Sequence, residues 1–404
     1  MTGAGWLERF MSVMASRRRV VPVHILTSLM SSVAEDARAE RGVTAYGLVD
    51  AGLSYVSNAA ASGGRSPLLR YADGVARGNR WGLRGMDKLG NALSATFVLE
   101  RGFGTSGGES SQSSALARIA YLGVSMRGIG ALTFGRQTAL SALYVGSNYT
   151  MGSQSAAGNY AYHINDIDQL ASGRVSNAVK ISITKFYRLE IGGMAAFTNR
   201  TEAASDAGHD VLSNAYSVGL NYISESFAMG AAYTGIHFLS GPTAPLPSIT
   251  VANVRVGDLR HLGTYAVGAR CIIGAMRVWA NVTRTTLAPR AGAASKLDNL
   301  EIGGRYALTA VFGLALGYTR STLVGASSGR WNQINMALDY AMSKRTDVYV
   351  VAIRQTASGS NTVAGVPVPV PVQAEIGSSP RVIGNSGTGT NSQMALRIGV
   401  LHRF

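Results

Sequence analysis

Arg80 and Arg84 stand opposite Trp81 and Leu83 on an extended chain, and Lys180 stands opposite Val179 and Ile181. A period of two residues turns such cations to one face of a strand and the apolar side chains to the other. Fixed charges held in this way attract or repel ions and dipoles without making or breaking bonds. Asp166 and Asp168, beside Tyr160, Tyr162 and His163, are the carboxylates available to answer them. Opposed charges across a narrow, low-dielectric gap would set up a transverse field that orders water and sorts solutes by charge. Bond-making chemistry has no comparable support. The sequence holds no H-E-x-x-H, no G-x-S-x-G and no phosphate-binding glycine loop, and its six histidines, His24, His163, His209, His237, His261 and His402, fall at no ligand spacing. The single Cys271 shares a strand face with Tyr265, Val267, Ala269 and Ile273 and reads as a small hydrophobe. No catalytic, metal or cofactor residue is assigned, and the one enzymatic alternative is a hydrolase that assembles a Ser/His pair from distant strands.

The elements that must position these groups are strands. Val179 to Thr184 alternates strictly, and Leu189, Ile191, Gly193, Ala195 and Phe197 repeat the pattern. So do Tyr216 to Tyr222, Leu300 to Tyr306, Phe312 to Tyr318 and Asn332 to Tyr340. The final run puts Met394, Leu396, Ile398, Val400 and Phe404 on one face, with Arg397 and Arg403 on the other. The second face is mostly Gly, Ser, Thr, Asn and charge, which suits a water-filled interior better than the core of a soluble sandwich. The 46% hydrophobic content never gathers into the ~18 apolar residues that a spanning helix needs. Alternation from Val43 onward gives sixteen strands, so the fold read from the sequence is all-β: a transmembrane antiparallel β-barrel whose closure leaves no bare backbone edge in lipid. Short connections, such as Tyr187 to Arg188 and Gly274, alternate with long ones, such as Asn58 to Ala76, Gly102 to Ala115 and Leu239 to Arg260. The third long one, Thr138 to Ser176, is of a length that is usually functional.

Residues 1–39 lack the pattern and read as a leader with a secretory signal peptide: Arg17, Arg18 and Arg19, an apolar run from Val20 to Met30, and cleavage near Ala39. Residues 40–404 then form the barrel domain. The chain carries a net +15; the leader holds five Arg/Lys and three Asp/Glu, which leaves +13 on the rest. With no recognition helix or RNA-binding fold, that charge does not point to nucleic acid. It favours anions as permeants, with some of it facing lipopolysaccharide phosphates.

Val43-Thr44-Ala45-Tyr46-Gly47-Leu48-Val49-Asp50-Ala51-Gly52, Asn79-Arg80-Trp81-Gly82-Leu83-Arg84-Gly85, Phe97 to Phe103, Phe134-Gly135-Arg136-Gln137, Ser343-Lys344-Arg345-Thr346 and the terminal His402-Arg403-Phe404 together resemble the general trimeric porins of Gram-negative bacteria, most closely the betaproteobacterial branch. The resemblance implies an exported outer-membrane protein: a homotrimer of sixteen-stranded barrels, each a passive diffusion channel for small ions and hydrophilic solutes, narrowed by a third loop folded into the lumen against a basic wall. Arg80, Arg136 and Arg174 match that wall, with Arg84, Arg118 and Lys180 as neighbours. Arg136 shares the parity of Leu132 and Phe134, a face that a partner subunit or a loop could bury. The usual acidic turn of the third loop is missing, which leaves Asp166 and Asp168 as its constriction acids. The resemblance further implies that the barrel-assembly machinery reads Phe404 as a C-terminal signal, and that no cofactor is needed. Outward residues of the early strands, among them Tyr55, Leu83, Leu93 and Phe97, are the expected subunit contact, with Glu100 turned to the lumen. A surface adhesin or structural barrel is the non-channel alternative, and it would need a plugged lumen.

Overall fold

The computed structural model describes residues 42–61, 64–105, 118–185, 188–197, 213–238, 248–251, 254–325, 328–361, 370–377 and 390–404. The leader and its cleavage site lie outside the described residues.

Strands form where the two-residue period runs. The first half of the wall is β1 (Gly42–Ala61), β2 (Gly64–Asp73), β3 (Arg80–Lys88), β4 (Leu93–Gly102), β5 (Ile119–Met126), β6 (Gly130–Thr138), β7 (Arg174–Lys185), β8 (Leu189–Ala196), β9 (Ser213–Ile223) and β10 (Phe227–Phe238). After the short β11 (Ser248–Val251) come β12 (Val254–Ile273), β13 (Met276–Pro289), β14 (Ser295–Ala307), β15 (Phe312–Val324), β16 (Gly329–Ala341), β17 (Thr346–Ser358), the two-residue pair β18 (Ser360–Asn361) and β19 (Val370–Pro371), and β20 (Ser392–Arg403). Neighbours in the wall pair antiparallel, and β20 closes on β1 from Leu48 opposite Arg403 to Val56 opposite Ala395. Both β2 and β3 lie along the other edge of β1, end to end, and form one broken stave. Among the described residues β11 pairs only with the far end of β12, and β18–β19 form a separate ladder. The closed wall therefore has sixteen staves.

The alternation is inverted relative to a soluble protein. On β20, Met394, Leu396, Ile398 and Val400 are exposed while Ala395, Arg397 and Leu401 are buried inside. Leu316 and Tyr318 on β15 and Ile334 and Met336 on β16 likewise face outward, which is the apolar band that a bilayer covers. Tight turns close one rim: Gly274, at φ 59, adopts the left-handed conformation that the short connection between β12 and β13 requires. The seam is fastened from within. Arg397 of β20 donates to the Tyr349 hydroxyl (2.8 Å) and Ser54 Oγ (3.0 Å), and it pairs with Asp50 at 3.5 Å. Tyr349 also donates to Asp50, so β1, β17 and β20 share one buried polar network.

Two expectations change here. The stretch from Asn58 to Ala76 is not a long loop, because most of it is the hairpin of β1 with β2. The inner wall is also not polar throughout: Leu259, Leu262, Leu287, Leu297, Leu323 and Trp331 face inward and are buried. They pack against Ile164 and Ile167 of the segment between β6 and β7 and against Val372 and Ala374 of residues 370–377. Loops folded inside the barrel thus supply its apolar core, so an inward leucine there meets protein instead of water.

Candidate pore constriction

The segment 139–173, between β6 and β7, is the inward-folded third loop. Its ends meet where the Ala139 amide donates to the Gly173 carbonyl (2.9 Å). Between them the chain makes short helical turns, Ser141–Gly146, Ser147–Tyr149, Met151–Gln154, Gly158–Ala161 and Ile164–Asp166. Thr150 starts one of these by exchanging side-chain hydrogen bonds with Ser153. The loop follows the wall and is tied to it strand by strand. Ser217 Oγ on β9 accepts from the Leu140 amide, Glu190 on β8 from the Tyr144 hydroxyl (2.8 Å), and Glu301 on β14 from the Met151 amide (2.6 Å). Asn281 on β13 donates to the Tyr149 carbonyl and Gln333 on β16 to that of Tyr160. Gly268 leaves the space that the Tyr149 ring fills.

The broken stave meets the loop from the opposite side. Asp50 accepts from the Ala76 amide (2.8 Å), and Asn79 accepts from the Asp50 amide (2.7 Å), which fixes the break at residues 74–79. From it Arg77 donates to the carbonyls of Gly152 (2.7 Å), Ser153 (2.6 Å) and Ser155 (3.1 Å), so its charge is held by loop backbone. Gly158, at φ 53, packs so closely on the Val75 carbonyl that a Cβ would lie 1.9 Å from that oxygen.

Next to this clamp the lumen face of β3 to β5 carries the basic wall. Glu100 is gripped by Arg80 at 3.3 Å and Arg118 at 2.7 Å, and it accepts from the Tyr46 hydroxyl at 3.1 Å. Arg84 lies over the Tyr46 ring, 5.7 Å from its centroid. Lys180 occupies the lumen face of β7 opposite the buried Met194. Arg174 starts β7 near the loop, where its charge, with those of Arg77 and Arg118, opposes the rise that burial and Asp166 impose on the Tyr162 phenol. Arg136 departs from expectation. It is opposite Ala120, on the face of Phe134 and Leu122, which are 49% and 62% exposed, and it bonds Ser176 Oγ (2.5 Å). That is the outward parity of β6, so Arg118 takes the place in the wall that the motif match gave to Arg136.

The two loop acids also depart from expectation, because each is engaged by hydrogen bonds, Asp166 within the loop and Asp168 to β13 and β14. Asp166 is buried and accepts from the amides of Ala171 and Ser172, each at 3.0 Å, so it caps its own loop. Burial and the neighbouring Asp168 raise its pKa. Asp168 is buried against the far wall, accepting from His163 Nδ1 (2.5 Å), the Thr283 hydroxyl (2.8 Å) and Asn299 Nδ2 (3.1 Å). Glu301 lies 3.4 Å from the other ring nitrogen of His163. Burial alone would discharge this imidazole; the two flanking carboxylates outweigh it and push its pKa up to about 10. The same charge outweighs burial at Asp168 and holds that carboxyl below its usual range. These groups form a latch between loop and barrel. The signal for it was one carboxylate, Glu301, alternating with Leu300 and Ile302 on an inward face.

A family model for Gram-negative porins matches residues 26–360. The chain belongs to the Gram-negative porin family. An outer membrane porin of Bordetella pertussis is 29% identical to it over 225 residues, which cover 52% of this porin and 58% of the Bordetella protein's length. The fold matches the anion-selective porin of Comamonas acidovorans with a TM-score of 0.67 at 18% identity, over 90% of this porin and all of that chain. It also matches the trimer form of OmpT, an outer membrane protein of Vibrio cholerae, at 0.59 and 14% identity over 90% of this porin and all of that chain. At these identities the structural likeness is one of fold, and it is the fold of a bacterial outer-membrane barrel.

Proposed function

We propose that this porin is a passive diffusion channel of the outer membrane for small ions and hydrophilic solutes, that it prefers anions, and that it catalyses no reaction. The observation that carries the reading is an imbalance at the constriction. Arg80, Arg84, Arg118 and Lys180 stand on the wall with Glu100 among them and Arg174 lies beside the loop, while Asp166 and Asp168 are engaged by hydrogen bonds within the loop and to β13 and β14. Two carboxylates, Glu100 and the Glu190 that acts on Lys180, cannot neutralise five cations, whose field reaches roughly a Debye length, ~8 Å at physiological salt, into the path between wall and loop. The Comamonas porin of the same fold is described as anion-selective, which supports the same sign here. The OmpT trimer form supports a homotrimer, in which the outward faces of the early strands, with Tyr55, Leu83, Leu93 and Phe97, make the contact. Export by a leader cut near Ala39, insertion guided by Phe404 and contact with lipopolysaccharide belong to the same reading. Single-channel recording in planar bilayers tests it: purified protein gives large, ohmic open steps, whereas an adhesin or a barrel-embedded hydrolase with a sealed lumen gives none.

A further inference from the structure

Below the third loop, towards the short turn at Gly274 and Ala275, a second group of cations occupies the lumen face, separate from the wall of β3 to β7. Arg277 of β13 is directly opposite Arg305 of β14. Arg270 of β12 is opposite Trp279, two residues along from Arg277, and is therefore its diagonal neighbour. Directly opposed positions in an antiparallel ladder bring Cβ atoms within about 5 Å and diagonal ones within about 8 Å. Three guanidiniums thus share one patch of strand surface, and the charges of Arg270 and Arg305 bear directly on Arg277.

One nearby acid answers one of the three arginines, and the other is committed elsewhere. Asp339 is taken by Arg305. Glu301 is used by His163, Trp279 and the Met151 amide. Arg277 donates to a neutral acceptor, Gln154 Oε1, at 3.1 Å, and neither Arg270 nor Arg277 has a carboxylate partner among the described residues. Arg305 Nε is buried without a hydrogen-bond partner. Like charges set directly opposite each other destabilise a sheet, and an oxyanion bridging them removes the repulsion while using their fork-like donors.

We propose that Arg270, Arg277 and Arg305 form a second anion site on the short-turn side of the third loop, which takes solutes bearing a phosphate or similar multivalent oxyanion as they leave the constriction. The site rests on the channel reading and gives it a direction: a permeant passes from the β3–β7 wall to a station near the opposite mouth. The rigid strands hold the arginines together whether or not an anion is there. A dianion is favoured over chloride because it can engage two guanidiniums at once.

Inorganic phosphate added to single channels carrying chloride current tests the site. Wild-type channels show a saturable fall in chloride current, reached at lower concentration from the short-turn side than from the long-loop side. The double variant Arg270→Gln, Arg277→Gln needs at least tenfold more phosphate for the same fall, with the sign of the chloride reversal potential unchanged; if it inserts poorly, Arg270→Gln alone gives a shift of severalfold. A wild-type current that phosphate leaves unchanged, or variants blocked like wild type, overturns the site while anion preference stands. A chloride reversal potential of the cation-selective sign overturns the anion preference on which the site rests, whatever phosphate does.

Discussion

Replacing Asp168 with alanine removes the centre of the latch. Three donors lose their acceptor: His163 Nδ1, the Thr283 hydroxyl and Asn299 Nδ2. An imidazolium buried between two carboxylates is left with Glu301 alone at 3.4 Å. Breaking a buried ion pair by removing one partner costs about 3–5 kcal/mol, and the orphaned hydrogen bonds are part of that cost, not an addition to it. At 1.4 kcal/mol per tenfold, the docked-to-undocked ratio of this part of the loop falls by roughly a hundredfold to a few thousandfold. The strand ladders do not pass through Asp168, so the barrel itself keeps its stability. Amide hydrogen exchange reads the change locally: residues 163–172, including the Ala171 and Ser172 amides bonded to Asp166, exchange on the order of 100-fold faster or more in the variant, while β20 amides are unchanged. Open-channel current noise rises with it. Exchange in 163–172 within threefold of wild type would refute the claim that the latch holds the loop.

The latch is also pH-dependent. The His163 pKa is raised from 6.5 to about 10, so its contribution is complete below about 6.5 and is lost as pH rises through about 10. The lowered Asp168 contributes in the opposite sense, present above the ordinary carboxylate range and lost in acid. Wild-type channel noise is therefore low at pH 7 and increases near pH 10, an increase that His163→Gln abolishes; flat wild-type noise from pH 7 to 11 contradicts this. Gly158→Ala puts a Cβ 1.9 Å from the Val75 carbonyl at a positive φ, so the loop separates from the broken stave and single-channel conductance rises; unchanged conductance counts against that contact as a constriction element. Deleting Phe404 removes its reciprocal backbone bonds with Gly47 (3.0 and 3.1 Å) and a ring packed on that glycine. The yield of heat-modifiable barrel in the membrane falls severalfold, and wild-type yield would show that neither closure nor insertion depends on it.

How much of this was legible in the sequence follows from which forces are local. Strand alternation is written residue by residue, so the barrel, its sixteen staves, its closure and the lumen side of Arg80, Arg84, Lys180 and Arg397 follow from parity. Parity also gave the outward position of Arg136, and the motif match that placed it in the wall ignored that constraint. The third loop was legible as a long insertion but its contacts were not. Asp166 and Asp168 are near neighbours in sequence, yet one caps its own loop while the other reaches Asn299, 131 residues away. Nothing in a strand period reports such pairings. The inward leucines of β12 to β15 depart from the expected polar inner face for the same reason, because a lumen position becomes apolar only when a distant segment covers it.

The central claim is that the wall charge sets selectivity, and the reversal potential of the purified protein in a tenfold KCl gradient measures it most directly. The wild-type channel gives the anion-selective sign. Neutralising Arg80, Arg118 and Arg174 together, to glutamine, moves the potential towards or past zero; because the change leaves the buried Glu100 without its cationic partners, the folded barrel is verified by heat-modifiable migration before recording. A wild-type potential of the cation-selective sign, or a correctly inserted triple variant with the wild-type value, contradicts the account.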